Sequence, residues 1–377
     1  MTTMVQKPPL LHSKIDSWVL GGGSILFFFL FFLLSKVHTL IVPAMVVAIV
    51  QNCFVLPHFT ASYHLAYSRG LAFIKKHWII LIVLPVVMIA SMFWIKFQFS
   101  KVLGRPEEVQ WLNQKLETIG LGLRLSPNES MGPLLVSAGF LFMFCTVGWH
   151  YSKQVYGTVI ISSLHEKYNF SDQQRWLLKQ SLLGAWWLAL VRVNMGVSGG
   201  DQMGFPVRYL GLPPFVLTIS NIVFGIILTL TIWQVWIKNY LKTRQQAPWR
   251  VFLPWLAFFI WWLPERIPGE WKVTFVPLFH AIQYLSFYGS FELSKVNLFR
   301  VTLYFIGLAG VAYFLFDYSP NYLDQHFGVV VSGTTLLYFG AMSTVYLNTH
   351  HYLVDGILWK LSDPELRTAL LKRQTET

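Results

Sequence analysis

The sequence predicts an all-α, polytopic helical membrane protein with about ten transmembrane helices and both termini cytoplasmic. Three observations carry this. Of 377 residues, 54% are hydrophobic and only 12% charged, about half the charged share of a typical soluble domain. Apolar runs long enough to cross about 30 Å of hydrocarbon recur along the chain. The polar connections between them hold cations in alternate loops.

The runs fall near 18–35, 39–57, 78–98, 131–152, 176–193, 213–236, 251–264, 273–290, 298–317 and 328–350. The first, Val19 to Ser35, has no small-residue cleavage site before Lys36, so it predicts a retained helix and no cleaved leader. Its Gly21-Gly22-Gly23 offers a smooth surface for close helix contact. The seventh run is short for a span, and the fifth carries Lys179 and Arg192, which is why the count is given as about ten. Pro43, Pro85, Pro213, Pro214 and Pro277 sit at or inside runs, where kinks open space between helices.

With Lys7 and Lys14 inside, the inner loops hold Arg69, Lys75 and Lys76, then Lys238, Lys242, Arg244 and Arg250, then Lys295 and Arg300. The tail adds Lys360, Arg367, Lys372 and Arg373. Tyr318 to Phe327 has no Lys or Arg and is expected outside. Residues 100–130 alternate charged and apolar positions (Glu107, Glu108, Trp111, Leu112, Lys115, Leu116, Ile119), the pattern of an amphipathic helix outside the core. No longer linker and no internal repeat divides the chain, so 1–377 is expected to be a single transmembrane domain. The expected setting is a bacterial inner (cytoplasmic) membrane.

The formal charge is +12, but the cations are scattered through short connections and form no basic face. The expected partner is the lipid bilayer, not nucleic acid. Cys53 and Cys145 both fall in apolar runs, which excludes a disulfide framework, a CxxC redox pair and a thiolate zinc site.

Chemistry is carried by histidine. Of eleven, His12, His77, His165 and His326 fall in loops or at helix edges and are expected to be solvated. Six others sit at or near the second, fourth, eighth and tenth runs: His58 and His64, His150, His280, and His350 with His351. All four runs are even-numbered and so share one direction. Counted from each helix start, His58, His150 and His350 lie roughly 27 to 33 Å down, near the cytoplasmic boundary. His280 lies only about 10 Å below its start, a gap that narrows if its helix begins near Arg266. These six are the candidate metal ligands. Asp355, four after His351, and Tyr284, four after His280, are the candidate catalytic groups. Ser62, Gln154, Gln283, Tyr284 and Asp355 each follow a histidine at helical spacing and are expected to orient the rings.

Imidazoles with one carboxylate and no thiolate suit iron first, with copper or zinc as alternatives, and argue against magnesium and calcium. No HExxH motif is present, and Glu265 and Glu292 are candidate bases only if the fold brings them in. In residue type the set is similar to that of membrane di-iron hydroxylases and desaturases, although their HxxxH and HxxHH boxes are absent. His280 with Tyr284, followed by His350-His351, resembles the spacings at the copper site of heme-copper oxidases. Here the two elements lie two helices apart instead of one, and the later helix bearing heme-ligating histidines is missing. The resemblance implies redox metal chemistry, and heme stays open as a cofactor.

The function expected from these residues is a membrane metalloprotein, an oxidoreductase acting on a lipid-like or isoprenoid-like hydrophobic small molecule with a separate electron donor. Trp149, Trp186, Trp187, Trp261, Trp262 and Phe279 are mostly belt or core residues that also supply cavity walls. The alternatives are a proton-coupled transporter or channel using His and Asp355, and a heme or metal electron carrier.

Overall fold

The protein is described here from a computed structural model, which describes residues 16–35, 44–263, 269–293, 295–331, 334–360 and 363. His12, Lys7, Lys14, Lys36, Pro43, Glu265, Arg266, Arg367, Lys372 and Arg373 lie outside the described residues. Every apolar run contains a helix: 18–35, 44–68, 79–97, Met131–His165, Asp172–Val193, Pro214–Thr243, Trp249–Trp262, Gly269–Leu293, Leu298–Phe327 and Tyr338–Leu358. Five of the described helices, Met45–Ser68, Ile79–Ser100, Met131–His165, Pro214–Thr243 and Leu298–Phe327, are long and apolar enough to cross a membrane. Asp172–Val193 falls short because it carries Asp172, Arg175, Lys179 and Arg192. Tyr338–Leu358 is interrupted by Asn348, His350, His351 and Asp355.

Burial separates an inner from an outer set. In the helices 79–100, 214–243 and 298–327 only 17% of the apolar window is buried, against 44% in 45–68 and 33% in 131–165. The outer helices turn Val86, Ile222 and Ile306 outward, the surface that a hydrocarbon solvent accommodates. The two better-buried helices both carry histidines of the set.

Wide π-turns interrupt five of the helices, at Trp18–Gly22, Gln51–Val55, Ile79–Val83, Ile232–Ile237 and Phe314–Tyr318. Three of these stand immediately before Pro57, Pro85 and Pro320. Proline has no N–H, and its ring crowds the carbonyl four residues back; widening that turn lets the helix continue. So the second helix does not stop at Pro57, as its apolar run suggests, but continues to Ser68 and holds both His58 and His64. Carbonyls left short of a donor take side chains instead: Leu81 O accepts from Tyr67 Oη at 2.6 Å, and Ile80 O lies 2.7 Å from His350 Nε2.

Two expectations are corrected. The run at 328–350 is not one helix: Val329–Val331 and Thr334–Leu336 pair as an antiparallel hairpin, and the last helix starts at Tyr338. Asp324 joins these elements, accepting from Phe339 N at 2.7 Å and Gly340 N at 2.9 Å, as a carboxylate does at a helix N-terminus. The segment Tyr318 to Phe327, expected as a loop, is helical and continues the ninth helix. A second hairpin pairs Ser198–Gln202 with Phe205–Arg208. The amphipathic helix forms at Pro106–Thr118, with Val109 its buried residue.

Gly21 performs the close contact expected of it. A Cβ there would lie 2.7 Å from the backbone of Leu253 and Pro254. Arg250, at the start of the same facing helix, pairs with Asp16 and with Glu166 at 2.9 Å, tying the first helix to the end of Met131–His165. Gly21→Ala should therefore destabilise the protein by about 1–3 kcal/mol, seen as a lower thermal unfolding midpoint in detergent. Gly157→Ala meets nothing within 4 Å and should leave the midpoint unchanged or slightly higher.

Candidate metal centre

Four helices bring His58, His150, His280 and His351 together, all buried. Their ring centroids form a closed circuit: 4.8 Å from His58 to His351, 4.9 Å from His351 to His150, 4.9 Å from His150 to His280, and 5.0 Å from His280 back to His58. Asp355 enters on one side, with Oδ2 3.4 Å from His351 Nε2 and 3.6 Å from His150 Nε2. The circuit lies well inside the bundle rather than at helix ends. His150 is about 28 Å from the start of its helix and about 22 Å from its end.

Counting protons shows what the cluster lacks. Ser62 Oγ donates to Asp355 Oδ1 at 2.7 Å, and Tyr284 Oη donates to the same oxygen at 3.1 Å. Ser62 has no second proton, so its oxygen accepts from His351 Nδ1–H at 2.9 Å. His351 Nε2 is thereby left with a lone pair. It is buried with no hydrogen-bond partner, and the nearest carboxylate oxygen is also an acceptor. A buried acceptor without a donor costs about 1–3 kcal/mol. In His58 the Nδ1 faces the Val55 carbonyl, which fixes the Nδ1–H tautomer and leaves Nε2 an acceptor.

The residues fall into two groups whose ligand atoms lie within 4.8 Å of one another: His58, His280 and His351, and His150, His351 and Asp355. The two groups share His351, and either could hold a metal ion. His150 Nε2 and His280 Nε2 are 3.2 Å apart. With metal–ligand bonds of about 2.1 Å, ligand atoms are about 3.4 Å apart in a tetrahedral shell and about 3.0 Å apart in an octahedral one. The observed separations of 3.2, 3.4 and 3.6 Å lie around the first value. The residues fit a metal ion.

Of the residues expected from sequence, His58, His150, His280, His351 and Asp355 come together, and Tyr284 stands behind Asp355. His64 and His350 are turned elsewhere. His64 Nδ1 lies 3.1 Å from Tyr288 Oη. His350 has both nitrogens engaged, Nδ1 with Tyr63 Oη at 3.1 Å and Nε2 with Ile80 O at 2.7 Å. Glu292 is not part of the cluster.

The orienting residues follow a rule that spacing alone missed. Ser62 meets its own neighbour His58 only at the backbone carbonyl, and the ring it contacts is that of His351 on another helix. Gln154, four after His150, donates to the His280 carbonyl at 3.0 Å and to Gln283 Oε1 at 3.3 Å. Ser62 and Gln154, each one turn beyond a histidine, thus reach a different helix and tie the spans together. Aromatic rings close the sides: Phe59 against His351 at 4.6 Å, Tyr151 against His280 at 4.1 Å, and Tyr352 stacked on His150 at 4.5 Å.

Because Ser62 orients both His351 and Asp355, Ser62→Ala should lower metal affinity by about 10- to 100-fold, measured by chelator competition. Tyr63→Phe, which removes hydrogen bonds to His350 and to the Leu347 carbonyl but none to the cluster, should leave it unchanged.

Comparison of the chain with protein-family models, with curated proteins and with solved structures finds no match in any of the three.

Proposed function

We propose that this is a membrane-embedded metalloprotein holding one transition-metal ion through His58, His150, His280, His351 and Asp355. The observation that carries the reading is His351 Nε2, buried 3.4 Å from Asp355 Oδ2 with no hydrogen-bond partner among the described residues. A cation between them replaces a repulsion with two bonds. Imidazole with carboxylate is a ligand set for iron, copper and zinc, and iron is the proposed occupant, acting in redox chemistry on a lipid-soluble substrate with an external electron donor. When bound, such an ion supplies Lewis-acid and one-electron chemistry. The chain's own contribution is positional. Ser62 and Tyr284 fix the carboxylate through its other oxygen, the Val55 carbonyl fixes His58, and the aromatic collar keeps bulk water from the ring nitrogens.

Alternate basic loops support a topology of about ten spans with both ends cytoplasmic, as a single domain in a bacterial inner membrane. Heme fits poorly. Two imidazoles on opposite faces of one iron hold their ligating nitrogens about 4 Å apart, whereas His150 Nε2 and His280 Nε2 are 3.2 Å apart with no plane for a macrocycle between them.

Proton-coupled transport is the second reading. A proton shared by His351 Nε2 and Asp355 Oδ2 would relieve the same repulsion, and the Ser62–Tyr284–Asp355 hydrogen bonds give it a partner network.

Elemental mass spectrometry of the detergent-purified protein separates the two. The expected result is about one iron per chain, lost in His351→Ala and Asp355→Ala and retained in His350→Ala. Less than one transition metal per two chains, unaffected by His351→Ala, contradicts the metal centre and favours transport; stoichiometric zinc keeps the centre and removes its redox role.

A further inference from the structure

We propose that the cavity beside His280 receives the oxygen-bearing end of an unbranched, lipid-soluble hydrocarbon such as a fatty alcohol or aldehyde. The inference rests on the metal-centre reading for why that end is delivered there. The cavity, about 50 Å³, lies among the helices 18–35, 131–165, 249–262 and 269–293. The His280 ring forms one part of its wall, and Tyr151, Phe258, Trp261, Trp262 and Phe279 form much of the rest.

Size decides between chain and ring. An apolar cavity that holds benzene measures about 150 Å³; this one has a third of that and admits a narrow chain. Hydrogen bonding decides what the chain carries. Two polar groups in the wall are already engaged: Ser24 Oγ donates to Gly21 O at 2.7 Å, and Gln283 donates to Leu20 O while accepting from Gln154. Two are not. The Trp261 indole N–H is buried without an acceptor among the described residues. Tyr151 Oη has no hydrogen-bond partner among the described residues. An N–H donor and a hydroxyl left free in an otherwise aromatic wall ask for an acceptor oxygen, which a pure hydrocarbon lacks. Tyr151 also packs its ring 4.1 Å from that of His280, a member of the ligand set.

The test uses the purified full chain and a hexadecanol probe carrying a diazirine next to the hydroxyl, with labelled peptides mapped by mass spectrometry and metal content measured on the same samples. Crosslinks are expected on the Trp261–Trp262 or Phe279–Gln283 peptides, displaced by hexadecanol or hexadecanal and not by hexadecane. Trp261→Phe keeps the shape and removes the N–H; it should weaken displacement by hexadecanol about tenfold and leave metal content unchanged. Ala257→Trp fills the cavity and should abolish labelling. Labelling confined to other segments, equal displacement by hexadecane, or an unchanged Trp261→Phe overturns the proposal. Specific labelling on metal-free protein upholds the cavity and removes the metal centre, whereas stoichiometric metal without this labelling does the reverse.

Discussion

Four imidazoles and a carboxylate packed against one another, away from water, form the constraint on which the rest of the structure depends. Each buried group left unpaired costs about 1–3 kcal/mol. Ser62 and Tyr284 pair one face of Asp355, the Val55 carbonyl pairs one face of His58, and Ser62 pairs one face of His351. What remains unpaired in this cluster, among the described residues, is His351 Nε2, which faces Asp355 Oδ2 at 3.4 Å beside the hydrogen-bonded His150–His280 pair. Outward-facing polarity is ordinary in a helix bundle. Four buried imidazoles and a carboxylate turned toward one another make a cation site the economical explanation.

The surrounding architecture holds that point fixed. The wide turn before Pro57 lets one helix run through the site, where proline would otherwise have ended it. Gly148 lies two residues before His150, and a Cβ there would sit 2.1 Å from the Trp186 ring, so the indole presses directly on the backbone of the His150 helix. The crossed pairing, in which Ser62 serves His351 and Gln154 serves His280, couples the spans more tightly than pairing within each helix would. Displacing one helix would disturb ligands on two.

Much of the fold was legible because hydropathy and length set helix positions in a membrane protein. Helix ends were not, and the reason is specific. Polar residues of the site, His58 through His64 and Lys153 with Gln154, lower local hydropathy as a helix end does, so the runs appear to stop where the function begins. The hairpin at 329–336 was hidden by the opposite effect: Val329–Val331 and Leu336 are as apolar as a span, and β-branching is the weaker signal. Within the site, depth along the helix identified the right histidines but not their faces. At about 100° per residue, His64 points some 240° away from His58, and His350 and His351 cannot both face one point. That angular test was available in the sequence and selects one histidine from each pair. The crossing of Ser62 to His351 was not available, since spacing along one helix says nothing of which neighbour it meets.

The cavity beside His280 and the centre itself are separable features on one set of helices, but the account stands or falls with the ligand set. X-ray absorption at the edge of the bound metal, on protein purified without added metal, tests it most directly. The account predicts a shell of nitrogen and oxygen only, with the multiple-scattering pattern of three or four imidazoles at about 2.0–2.2 Å. A sulfur-containing shell, or one with at most one imidazole, would contradict it.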